Sequence, residues 1–354
     1  MPENHALKCS EDGAERSLIV APAWVGDAIM AQPLLARLRQ KHPDMALDAL
    51  SPAWVAPAFT RMPEVAHVHL SPFKHGELAL KRRFALAREL KGYRRAYILP
   101  NSFKAALIPF FAGIPCRIGF TGEARYGLIN RRHGLDKARL PRMVERFAQL
   151  AQEPGTLLTR PVPFPRLIST PKQQAATLQA LLLEEDVTAN APIVFCPGAE
   201  YGAAKRWPAE HFAALADALG QDGFRIWFIG SGKDKAIAEA ILAQLSGTIR
   251  EQCRNLCGET GLEQAIDLIA LSRLVVCNDS GLMHVAAALD RPLVALFGSS
   301  SPDFTPPLSD KAEVVRLNLE CSPCFKRECP LGHLDCLRQL LPERVLAACK
   351  IWLT

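Results

Sequence analysis

The sequence predicts an α/β chain built as two successive halves, each a parallel sheet with helices packed on its faces. Three observations predict it. Short apolar runs alternate with helix-period segments from residue 17 to about 111, and again from 193 to 298, the rhythm of strand–helix–strand crossovers. Four prolines between positions 161 and 171 interrupt that rhythm. The 354 residues exceed what one ordinary core needs, and suit two domains of roughly 150–175 residues.

The first half opens with Ser17–Ala21, an apolar run ending at Pro22 that reads as a buried strand. A turn, Pro22–Asp27, leads into a helix to about Lys41, with Ile29, Leu34, Leu35 and Leu38 on one face and Pro33 in its early turns or kinking it. Leu47–Leu50 and Val65–Leu70 are further strands, Phe84–Leu90 is helical, Arg95–Leu99 is a strand, and Phe103–Phe111 a helix. The second half repeats the pattern. Its strands are Ile193–Cys196, Arg225–Ile229, Leu274–Cys277 and Pro292–Gly298. Its helices are His211–Leu219, Lys235–Leu245, Gly261–Ala270 and Leu282–Leu289. This gives a loose extension over 1–16, a first domain over 17–160, a linker over 161–175 and a second domain over 176–340. The last segment, 341–354, is expected as a helix packing back on the first domain. Two facing Rossmann-like domains with a cleft between them follow, with ligands beyond the carboxyl ends of the strands.

No run approaches the roughly 20 apolar residues of a membrane span, and the polar start, with Glu3, Glu11, Asp12 and Glu15, is unlike a secretory signal. A cytoplasmic protein with reduced thiols is the expectation, despite eleven cysteines. Residues 17–165 hold 22 Lys and Arg against 10 Asp and Glu, a balance of +12 within a chain whose net charge is +6. Such a half suits an anionic partner or a peripheral place on an acidic membrane face, or is simply a solvated surface. With no basic–aromatic RNA motif and no zinc finger, a nucleic-acid-binding protein is the weaker alternative.

Three post-strand turns could carry chemistry. In Asn278-Asp279-Ser280-Gly281-Leu282-Met283-His284 a buried strand gives way to a helix whose free N–H groups form a phosphate seat; alternatively, Asp279 or Ser280 is an ordinary cap. The loop PGAEYGAAKRWP, from Pro197 to Pro208, contains Gly198 and Lys205. That lysine could reach a diphosphate, or be an exposed loop cation. Asp27, at the start of the first helix, is either a cap or a general base at the cleft. The absence of G-x-G-x-x-G after the first strand, and of G-x-x-x-x-G-K-[ST] anywhere, argues against dinucleotide oxidoreductases and P-loop ATPases.

Taken together, PAWVGDAIM, LPNSFKAALIPFFAGIPCRIGFTGEARYGLIN, PGAEYGAAKRWP and NDSGLMHVAAAL followed by RPLVALFGSSSPDFTPP resemble the lipopolysaccharide heptosyltransferases, glycosyltransferase family 9. The resemblance implies a GT-B fold and an inverting transfer of L-glycero-D-manno-heptose from ADP-heptose to a phosphorylated lipid A–Kdo–heptose inner core, without a required cofactor. It implies the second heptose addition, with the first or third as alternatives. By it, Asp27 is the base and Lys205 lies on the donor diphosphate. Asp279, Ser280, Gly281 and His284 match the donor turn D-[ST]-G-x-x-H, and Asp234 lies near an acidic donor contact. Lys104, Arg117, Arg125, Arg131 and Arg132, in or near post-strand loops, are candidates for the acceptor. Finally, Cys321, Cys324, Cys329 and Cys336, with His333 among them, have spacing compatible with structural zinc or an iron–sulfur cluster; free thiols and a disulfide are the other readings.

Overall fold

A computed structural model describes residues 16–74, 76–183, 187 and 191–353. The extension expected over 1–16 lies outside these except for Arg16, which opens the first strand. The chain divides into two compact units between Pro163 and Phe164.

The first unit holds β1 (Arg16–Val20), α1 (Val25–Lys41), β2 (Ala46–Pro52), α2 (Ala56–Thr60), β3 (Val65–Ser71), α3 (Leu80–Glu89), β4 (Arg95–Ile98), α4 (Phe103–Phe111), β5 (Cys116–Phe120), β6 (Arg131–His133) and α5 (Met143–Gln149). Its six strands are parallel, in the order β3-β2-β1-β4-β5-β6. The central strand reads as one apolar run because both faces are covered, and Leu18 and Ile19 are fully buried. Pro33 lies inside α1 and the helix continues through it.

The second unit holds α6 (Pro171–Leu181), β7 (Ile193–Cys196), α7 (Ala209–Gln221), β8 (Ile226–Phe228), α8 (Lys235–Leu242), α9 (Gly247–Glu251), β9 (Cys253–Asn255), α10 (Leu262–Leu271), β10 (Leu274–Asn278), α11 (Gly281–Ala288), β11 (Leu293–Phe297), β12 (Ala312–Arg316), α12 (Asp335–Arg338) and α13 (Pro342–Leu353). The sheet order is β12-β11-β10-β7-β8-β9, again all parallel. Counted from its own first strand this is the first unit's order, so each sheet reverses direction at one point, between β1 and β4 and between β7 and β10. Ligands of such sheets sit at that reversal.

Much of the stretch expected as a linker is folded into the second unit. Leu167 N–H donates to Ala288, Ser169 and Thr177 hydroxyls donate to the buried Asp267, and Thr170 caps α6 at Pro171. The C-terminal helix, expected to reach the first domain, places Val345 and Cys349 in the second unit's core beside Trp207, Phe212 and Leu337. That apolar face is what holds it there.

Candidate active site

In the second unit the reversal point is framed by the loop after β7 and the turn after β10. Asn278, fully buried at the end of β10, ties the two together. Its Nδ2 donates to Pro197 O at 2.7 Å, and its Oδ1 accepts from Trp207 N at 3.1 Å. The loop is therefore clamped at both ends. A 3₁₀ turn at Ala203–Lys205 brings the Lys205 ammonium 2.5 Å from Asp279 Oδ2 and 5.0 Å from the centre of the Tyr201 ring. Ser300 Oγ donates to the same carboxylate oxygen.

Asp279 and Ser280 therefore do not cap α11. The Asp279 carboxylate is engaged by Lys205 and Ser300, the Ser280 hydroxyl pairs with Cys277 Sγ, and α11 has no side-chain cap. The first amides of the helix keep their N–H groups and partial positive charge at the partly exposed Gly281 and Leu282. His284 lies one turn further in, buried. Burial pushes its pKa down to about 4, against a smaller upward pull from Asp279, so the imidazole is neutral near pH 7.

Gly198 and Asp234 form a second contact. A Cβ on Gly198 would stand 2.3 Å from the Asp234 carboxylate, so only glycine fits. Asp234 is itself buried and accepts from Ser231 N and Oγ at 2.9 and 2.8 Å. Asp234 thus lies against Gly198, where the loops after β7 and β8 approach closely.

In the first unit Asp27 is the third residue of α1, inside the first turn rather than at the cap, where the helix dipole favours a negative charge. It is partly exposed. Half-exposed Trp24 and Trp54 accompany the same turn, and Trp54 Nε1 donates to Ala23 O at 2.9 Å. Of the five candidate cations, Lys104 sits in the first turn of α4, while Arg131 and Arg132 are exposed on β6. Arg131 faces Glu153 at 3.1 Å, and Arg132 stacks over Tyr126.

Arg117 and Arg125 change reading. Arg117 donates to the carbonyls of Leu128 and Ile114, both at 2.6 Å. Arg125 is 2% exposed. It donates to Pro100 O at 2.8 Å, Asn101 Oδ1 at 3.0 Å and Gly122 O at 3.2 Å, and also to Phe120 O. The Arg125 guanidinium ties the loop after β4 to the end of β5, and Arg117 joins the turns at Ile114 and Leu128, so both are engaged mainly with backbone carbonyls.

Nine cysteines among the described residues are free thiols; Cys116 is disulfide-bonded, against the expectation of reduced thiols throughout. Cys321, Cys324, Cys329 and Cys336 border one small cavity. The reading of the sequence passed over Asn278 and Ser300 as site residues. The signal for Asn278 was a polar residue closing the apolar run Leu274–Cys277.

The family model for glycosyltransferase family 9 (heptosyltransferase) matches residues 83–335. The chain is 47% identical to lipopolysaccharide heptosyltransferase 2 of Salmonella typhimurium over 93% of its own length and 96% of the relative's. It is 45% identical to lipooligosaccharide heptosyltransferase 2 of Haemophilus influenzae over the same shares. The solved structure of E. coli ADP-heptose LPS heptosyltransferase II superposes with a TM-score of 0.85 and 43% identity, covering 96% of this chain and 98% of that one.

Proposed function

The chain belongs to glycosyltransferase family 9 and is a GT-B glycosyltransferase, and from that premise we propose that it moves L-glycero-D-manno-heptose from ADP-heptose to the first heptose of the lipopolysaccharide inner core. The carrying observation is the start of α11. Two residues able to cap it stand there and cap nothing, while a cation held by Asp279, whose carboxylate Ser300 also engages, stands alongside. Uncapped amides beside a fixed ammonium suit a diphosphate.

On this reading the second unit takes the donor and the first the acceptor. Breaking the bond between sugar and phosphate builds positive charge on the ring and negative charge on the departing ADP. Lys205 and the amides of α11 stabilise the leaving charge. The Asp27 carboxylate accepts the proton of the acceptor hydroxyl as its oxygen attacks the anomeric carbon opposite the leaving group, inverting the centre. The step draws its charge stabilisation from these groups and requires no catalytic cofactor. A carboxylate next to a diphosphate would repel it, so Asp279 acts by holding Lys205 in place, and Asp234 by bracing Gly198. Lys104, Arg131 and Arg132 are proposed for the phosphorylated core. The acceptor's lipid anchor would place the enzyme peripherally on the cytoplasmic face of the inner membrane; no helix among the described residues is long and apolar enough to cross one.

The test offers the purified chain ADP-heptose together with lipid A cores carrying no, one or two heptoses, with products read by mass spectrometry. Mass gain on the one-heptose core is expected. Gain only on either of the others assigns a different step on the same pathway and overturns the acceptor named here.

A further inference from the structure

The cysteines at 321, 324, 329 and 336 have no part in that mechanism. They lie in and just beyond a segment running from β12 to α12, residues 317–334, that holds neither strand nor helix. Loops longer than about 12–15 residues without regular structure are uncommon inside compact domains. This one leaves Phe325 and Leu331 exposed, and its apolar contacts with the unit's core come from Leu317, Leu319 and Leu334 near its ends. Yet the donor loop leans on it. Ala204 N donates to Arg327 O at 3.0 Å, Phe325 N to Ser299 O at 2.7 Å, and Tyr201 Oη to Phe325 O at 3.0 Å. Gly202 lies so close that a Cβ there would stand 2.3 Å from Arg327 O. Something must hold this wall in register.

The four cysteines line a cavity of about 20 Å³, which Ala204, Ser299 and His333 also line. That volume accommodates one ion or one water, far less than the roughly 300–1,000 Å³ of a ligand pocket. Around it are sulfur donors, which select zinc, iron and similar soft-ligand metals. Cys329 Sγ accepts the Leu334 N–H at 3.4 Å. Gly332, at φ +74°, supplies the left-handed turn between the two. Outer-shell N–H groups of this kind orient metal-bound ligands.

We infer that Cys321, Cys324, Cys329 and Cys336 bind one thiophilic divalent ion, and that the ion fixes the 317–336 segment as the back wall of the Gly202–Lys205 and Ser299–Ser300 turns. As the side chains stand, no group of three or more His, Cys, Asp or Glu among the described residues is arranged to hold an ion, so binding requires the four thiols to rearrange. Each thiol gives its proton to solvent and becomes a thiolate ligand.

Cobalt(II) and zinc are the probes. The whole chain, purified under reducing conditions and stripped with a chelator, is titrated with cobalt. One equivalent is expected to bind with thiolate charge-transfer absorption, bleached by one equivalent of zinc. Zinc at a hundred times its Kd should raise the melting midpoint by on the order of 5 °C or more. Cys329→Ser should lose the absorption, and Cys253→Ala, outside the segment, should keep it. No absorption in the unmodified chain, or absorption surviving both Cys329→Ser and Cys336→Ser, overturns the site. ADP affinity should fall about tenfold on stripping and return with zinc; ADP bound equally well in both states overturns the wall role. That last readout alone rests on the nucleotide reading. A chain that binds metal but never ADP sinks that reading and leaves the metal site standing.

Discussion

The two sheets share one strand order and differ in what they place where it reverses. In the second unit the charges there are paired and largely withdrawn from solvent: Lys205 with Asp279, whose side chains are 16% and 5% exposed, bordered by Asn278 and the neutral His284. In the first unit Asp27 stays partly exposed, and the buried Arg125 faces carbonyls rather than a carboxylate. A common topology thus supplies the location and leaves the chemistry to the side chains. The second unit fixes a cation in a partly buried pair, where, on the proposed reading, it would act more strongly on a phosphate than in water. The first unit leaves the Asp27 carboxylate partly exposed at the start of α1.

The sharpest way to break that contrast is Asp27→Ala. Transfer should fall by about 10²–10⁴-fold with ADP affinity unchanged in calorimetry; near-normal turnover would remove Asp27 as the base. Lys205→Ala should instead strike rate and folding together. Losing one charge-stabilising donor costs about 10²–10³ in kcat, and an unpaired buried Asp279 costs about 3–5 kcal/mol in denaturant unfolding. A stable variant with unchanged kinetics would show the pair to be ornamental.

Acid pH probes both units at once. Burial lowers His133 in the first unit and His284 in the second to about 4, against smaller upward pulls from Glu153 and Asp279 respectively. With folded values below the unfolded one near 6.5, the unfolded chain binds the extra protons. Stability is intact above about pH 6.5 and is lost as pH falls towards 4, by on the order of 3 kcal/mol for each histidine. His133→Gln should flatten the first unit's share of that slope in pH-dependent melts; an unaltered slope would assign the loss elsewhere. The smallest effect expected is Asn278→Ala. Stranding Pro197 O and Trp207 N should cost about 2 kcal/mol and weaken ADP, while leaving the first unit's melting untouched. Wild-type stability and ADP affinity would show that the loop does not depend on this clamp.

Sequence alone determined the alternation, the two-unit plan and the central strands. β1, β7, β10 and β11 are covered on both faces, so burial writes itself as an apolar run. The outer strands β6 and β9, reading Arg131-Arg132-His133 and Cys253-Arg254-Asn255, carry no such run and were missed with β5 and β12. The turn motifs identified which residues could meet a nucleotide, since residue type and position after a strand are local properties. Tertiary structure alone decided what those residues do. Whether Asp279 caps a helix or grips Lys205 depends on a loop 74 positions away. Whether Arg125 reaches solvent depends on carbonyls that the fold leaves unpaired. Hydrogen-bond partners are settled by proximity across the sheet, which no periodicity in the chain encodes.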